Sequence, residues 1–221
     1  MKISESMDLF LKEVSGDISK KTAEKYRDVL KLFHDYLANY GDLSHEEHKD
    51  KGIILTAGTI ELHDGQVSDF LEWFLIRKVL GPEWLKTTAP GIMKKYIKWL
   101  DTKGLLAEGA MDEIDETTKN AARNLPRVEK AAMLLYRFCE KNNDKLGDIE
   151  FEDKDYNDGY GDVVGLIEDK LFLNFDGEKT GPIQITKEIA KLLKKGDTVN
   201  LVVGRRGKLW YPLEVGNVYP G

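Results

Sequence analysis

Apolar residues recur at three- and four-residue steps through the first two-thirds of the chain and at two-residue steps in the last third. The first spacing lines one face of a helix and the second one face of a strand. Thr22, Tyr26, Val29, Leu30, Phe33, Leu37 and Tyr40 form a single stripe, with Ser19 placed to cap that helix and Gly41 to stop it. Met7, Phe10, Leu11 and Val14 predict a shorter helix over about Glu5 to Val14. Phe70, Leu71, Phe74 and Leu75 predict another from Val67 to Leu80, ended by Gly81-Pro82. Pro90 is expected to open the next helix, with Ile92, Met93, Tyr96, Ile97 and Leu100 inward and Lys103-Gly104 at its end. Ala110 to Asn124 and Pro126 to Asn142 read as two further helices, and Gly41 to Gly65 as a connection.

From Val163 onward the period is two. Val163–Ile167 and Leu171–Phe175 read as a hairpin, and Pro182–Ile185 as a third strand. Thr186 to Lys195 is amphipathic, with Ile189, Leu192 and Leu193 inward. Val199 to Val203 and Leu209 to Leu213 are two more strands, joined by a turn at Gly204-Arg205-Arg206-Gly207. Three strands, a helix and two strands is the order of a small OB-like barrel. Before it, Asn143 to Asp162 holds eight Asp or Glu residues and reads as an acidic linker. The expected fold class is α+β: an all-α N-terminal bundle over 1–105, a helical segment and linker over 106–160, and a small β-barrel with one helix over 161–221.

Composition adds little until charge is divided along the chain. The 221 residues are 41% apolar and 33% charged, the pattern of an ordinary globular protein, expected in the cytoplasm. No apolar run has the length of a membrane span, and the polar start has no signal-peptide core. A net charge of −6 argues against a nucleic-acid partner. That total hides polarity. Gln66 to Lys103 carries 7 basic and 4 acidic residues, Glu108 to Glu178 carries 9 and 19, and Lys179 to Lys208 carries 8 and 2. Two basic blocks thus flank one acidic stretch.

The chemistry the sequence offers is sparse. Single Cys139 excludes an internal disulfide, and its place on an apolar helix face predicts a buried, inert thiol. Asp153 to Val164 approaches a calcium loop, but Asp158 holds the position that needs Gly and Val164 the position that needs Glu. The glycines from Gly159 to Gly165 precede strands rather than opening a helix, so a phosphate would have no helix terminus there. His45-Glu-Glu-His48 lies in an expected loop without a cysteine nearby. No cofactor, metal or catalytic constellation is expected.

Ser19, Thr22, Tyr26, Leu30 and Phe33 follow the spacing S-x-x-T-x-x-x-Y-x-x-x-L-x-x-F; Phe70-Leu71-Glu72-Trp73 follows, then Tyr96 with Trp99-Leu100 and Gly104. In this order the first 105 residues or so resemble the SAM-like core-binding domain of phage integrases and other tyrosine recombinases. The resemblance implies a four-helix DNA-binding module that grips duplex from one side. It also marks a departure. The family's catalytic domain carries two arginines, a His-x-x-Arg pair and a nucleophilic tyrosine. Here none of His34, His45, His48 and His63 has Arg three residues later.

Tyr26 falls on the apolar stripe and reads as core. The expected DNA contacts are instead Lys20, Lys21 and Lys25 at the start of the long helix, and Lys94, Lys95 and Lys98 within one turn of a later one. Arg205 and Arg206 on the barrel hairpin, beside adjacent Trp210 and Tyr211, suit phosphate tracking and base stacking. The expectation is a non-catalytic binder of double-stranded DNA, an accessory or regulatory factor in integration or recombination. A protein-interaction module built on the same scaffold is the alternative.

Overall fold

A computed structural model describes residues 1–48, 52–146 and 151–221. Two compact units divide the chain, Met1–Arg123 and Asn124–Gly221.

The first unit is helical. α1 (Ile3–Val14) and α2 (Lys20–Tyr40) follow the predicted stripes. Ser19 caps α2 as expected, its Oγ accepting from the Thr22 N–H at 3.2 Å, and Gly41 ends it. The expected connection contains a short antiparallel hairpin, β1 (His45–His48) with β2 (Gly52–Leu55). Four-residue strands are too short for a period to show. α3 (Asp64–Ser68), a π-helical turn (Asp69–Phe74) and α4 (Leu75–Arg77) succeed one another in the region predicted as one helix. The aromatic core joins Phe33 and Tyr36 of α2 to Phe70 at centroid distances of 5.0 and 5.8 Å. Phe10 of α1 stands 5.4 Å from Tyr96, whose hydroxyl meets Ser6 Oγ at 2.6 Å in the buried interior.

Prolines misled the helix boundaries twice. α5 spans Glu83–Thr102 with Pro90 inside it, not at its start. An interior proline costs about 3 kcal/mol. Here the turn before it is held by the Thr87 and Thr88 hydroxyls, which donate to the Trp84 carbonyl at 2.9 and 2.7 Å, and Leu85 and Ala89 are buried around it. Likewise Ala110–Leu146 forms one helix, α6, running through Pro126. Leu125 and Val128 on either side of that proline are buried, which offsets its lost hydrogen bond.

The second unit contains a closed barrel of β3 (Tyr156–Ile167), β4 (Lys170–Phe175), β5 (Glu178–Gln184), β6 (Thr198–Arg206) and β7 (Leu209–Tyr219). Its order is β3-β4-β5-β7-β6, with α7 (Lys187–Leu192) between the third and fourth strands, the OB-like arrangement expected. β3 serves two neighbours. Its first half pairs with β6 from Tyr156↔Gly204 to Asp162↔Thr198, and its second half with β4 from Gly161↔Phe175 to Ile167↔Lys170. β5 meets β7 in parallel at Ile183↔Trp210, closing the ring.

The acidic linker is therefore corrected in part. Residues 143–146 belong to α6 and 156–162 to β3, while 147–150 lie outside the described residues. The first half of β3 shows no apolar period because its inward positions, Asn157, Gly159 and Gly161, carry no apolar side chains. Gly161 is fully inward, and a Cβ there would stand 2.9 Å from the Phe175 ring. The ring supplies the apolar volume that a period-two pattern would otherwise show. On β5, Gly181 (φ +151°) lies under Phe172, whose ring would be 2.7 Å from an added Cβ.

α6 is anchored to the barrel by charge. Asp197, wholly buried in the turn before β6, takes Arg127 Nη1 at 2.6 Å on one oxygen and Nη2 at 2.9 Å on the other. Arg127 Nη1 also donates to the Leu192 carbonyl at 2.7 Å, and Asp197 accepts the Lys194 N–H at 2.7 Å. Such a paired, bidentate contact satisfies charges that would be costly to bury singly.

Candidate nucleic-acid interface

The first two turns of α2 project Lys20 and Lys21 into solvent, and neither has an ion-pair partner among the described residues. Lys25, one turn on, lays its ammonium 4.9 Å from the ring centroid of Trp84 at the start of α5. The reverse contact comes from α5. Lys95 Nζ donates to Tyr26 Oη at 2.8 Å and lies 5.5 Å from the centre of the same ring. Two aromatic–lysine contacts of opposite direction therefore bring the start of α2 and the polar side of α5 onto one face. Lys98 continues that face, exposed and without an ion-pair partner among the described residues.

These contacts leave charge available. A phenol or an indole ring holds an ammonium without neutralising it, and Lys95 keeps two of its three N–H donors. Tyr26 itself is buried and stacks on Phe10 at 6.0 Å, as its place on the apolar stripe predicts. Glu24 and Asp28 are the exposed acids on this stretch of α2.

Lys94 departs from the group. Its ammonium meets Asp115 of α6 at 2.5 Å, and Lys119 meets the other oxygen of that carboxylate at 2.7 Å. Hydrogen bonds from Lys119 and then Lys94 hold the Asp115 carboxyl below the ordinary range. Adjacent positions on a helix point 100° apart, so Lys94 and Lys95 reach different neighbours. The sequence shows that both are basic but not that an aspartate 21 residues later consumes one of them. Nor does it single out Trp84, whose role depends on the crossing of α2 and α5.

On the barrel, the hairpin turn is Gly207-Lys208, so Arg205 and Arg206 end β6 rather than sitting in the turn. Arg205 is engaged. Its Nε and Nη2 lie 2.6 and 2.5 Å from Asp155 Oδ1, and its guanidinium stands 5.5 Å from the Trp210 ring. Trp210 is the inward member of the Trp210–Tyr211 pair, 9% exposed, and Tyr211 is half-buried. Arg206 and Lys208 are exposed.

Other candidate chemistry takes plain positions. Cys139 is buried, and desolvation pushes its thiol up to about 12, far from nucleophilic. His45 sits in β1 with Nδ1 3.1 Å from the Leu43 carbonyl; the His48 side chain lies outside the described set. Asp153–Asp155 form a single 3-10 turn that leads directly into β3, so the calcium-like run is turn and strand. Among the described residues, no group of three His, Cys, Asp or Glu is placed to hold a metal ion, and no helix is long and apolar enough to cross a membrane. Comparison of the chain with protein-family models, with curated proteins and with solved structures finds no match.

Proposed function

We propose that the helical unit binds double-stranded DNA through the face formed by Lys20, Lys21, Lys25, Lys95 and Lys98. The observation that carries this reading is the pair of contacts Lys95–Tyr26 and Lys25–Trp84, which gather lysines from two helices without cancelling their charge. Ammonium groups gathered from two helices suit a phosphate backbone, where contacts position a protein without reading sequence. The resemblance of the first 105 residues to the core-binding domain of integrases supports the same partner. These 221 residues hold no His-x-x-Arg pair, so the binding is proposed without strand cleavage by them. An accessory or regulatory part in integration or recombination fits such a module.

Fluorescence anisotropy of the full chain with a labelled duplex tests this. Affinity is expected to fall steeply between about 50 and 200 mM salt, as released counterions require. The triple variant K20Q/K21Q/K98Q removes only exposed ammonium groups. It should weaken binding at low salt by about 10-fold or more and flatten the salt slope, by roughly one unit for each phosphate it no longer neutralises. No duplex binding at about 50 mM salt, or equal affinity of the triple variant, overturns the proposal.

A further inference from the structure

α1 and α2 leave an open trough between them, with a volume of about 350 Å³. Met7 and Leu11 of α1 and Leu30 of α2 make its floor. One wall carries the cations Arg27 and Lys31, with His34 following them along α2. At 1.5 Å per residue this row is about 10 Å long. His34 is 3.7 Å from Asp35, whereas Arg27 and Lys31 are exposed and without an ion-pair partner among the described residues. Asp8 on the α1 rim is the acid that lines the trough.

We propose that this trough docks an acidic peptide segment, seating an apolar side chain on Met7, Leu11 and Leu30 and carboxylates on Arg27 and Lys31. Charge complementarity selects the occupant. Two free cations one helical turn apart call for more than one carboxylate, which a monocarboxylate does not supply. The floor of Met7, Leu11 and Leu30 calls for an apolar side chain between those carboxylates, which a segment of chain supplies and a small polycarboxylate does not. The apolar floor separates this site from the lysine face. A phosphate backbone gains nothing from methionine and leucine, whereas a peptide with aliphatic residues between its acids uses both surfaces. The proposal does not rest on duplex binding: Lys21, Lys95 and Lys98 take no part in it. Lys20 heads the same side of α2 as Arg27 and Lys31 and so belongs in no variant that separates the two sites.

The test is anisotropy of the full chain with a labelled peptide of alternating Glu and Leu, beside the same peptide with Gln for every Glu. Wild type should bind the Glu–Leu peptide at least 10-fold more tightly than the Gln–Leu peptide. Arg27→Glu with Lys31→Glu should abolish that preference, and Leu11→Asn should weaken the Glu–Leu peptide severalfold. K21Q/K98Q should bind it as wild type does. Arg27 and Lys31 are exposed, and circular dichroism confirms that their variant keeps its helices. Equal binding of the two peptides, unchanged binding after the double charge reversal, or an equal loss in K21Q/K98Q overturns the proposal; the last outcome assigns the signal to the lysine face.

Discussion

The lysine face of the helical unit and the basic hairpin of the barrel begin from similar sequence, cations beside aromatic residues. They diverge at the cations that meet aromatic rings, Lys25 and Lys95 against Arg205, while Arg206 and Lys208 stay exposed like the helical lysines. On the helices, Lys25 and Lys95 rest on Trp84 and Tyr26, and Lys20, Lys21 and Lys98 meet no carboxylate among the described residues, so the positive charge stays on the surface. On the barrel, Arg205 is committed to Asp155 and lies over Trp210. A cation is available to a partner only if the fold puts no carboxylate against it. The same rule separates Lys95 from Lys94, one residue away and paired with Asp115.

The units also differ in how they are held. Aromatic pairs of Phe10, Phe33, Tyr36, Phe70 and Tyr96 tie the helices, each worth about 0.5–1.5 kcal/mol beyond burial. The barrel adds a buried ion pair. Arg127→Ala should therefore have the largest effect, about 3–5 kcal/mol, because it strands the Asp197 carboxylate in the interior. A calorimetric melt would show it, and an unshifted transition would mean that Asp197 finds water instead. Gly161→Ala comes next, at about 1–3 kcal/mol, since its Cβ meets the Phe175 ring and Leu173 at about 3 Å. Denaturant midpoints would measure that loss.

The contrast in available charge is sharpened by binding. K20Q/K21Q/K98Q is expected to lose about 10-fold in duplex affinity, about 1.4 kcal/mol, while Arg205→Ala should change it by less than about twofold. A large effect of Arg205→Ala would mean that its pairing with Asp155 opens on binding, and the comparison would fail.

The smallest effect concerns Glu72. Burial first, and then the charge of Asp64, pushes its carboxyl above the ordinary range against the hydrogen bond from Ser68. The charged form is thus less at ease in the folded chain than in the unfolded one. Its cost is absent below the unfolded pKa of about 4.3 and grows as pH rises through the raised folded value. Glu72→Gln should raise the melting temperature at pH 7 and leave it unchanged at pH 3. A gain of equal size at both pH values would point to packing rather than charge.

Local rules were readable where they met no competitor. Ser19 and Gly41 bound α2 because capping and chain reversal are decided within a few residues. Pro90 and Pro126 misled because a proline stops a helix only when nothing offsets its lost hydrogen bond, and here buried neighbours do. The first half of β3 was hidden because Gly161 lends its inward space to a ring from β4. Of the lysine face, the basic positions were readable and their neighbours were not.

By itself, then, the sequence determined the periodicities, the α-then-β order, the succession of three strands, a helix and two strands in the last third, and the division of charge into blocks. Those follow from spacing along the chain. Only the tertiary structure decided which cations keep their charge for a partner. That depends on residues far apart in sequence, Tyr26 with Lys95, Asp115 with Lys94, and Asp155 with Arg205. Coulomb attraction acts over a few ångströms of space and takes no account of the residues between.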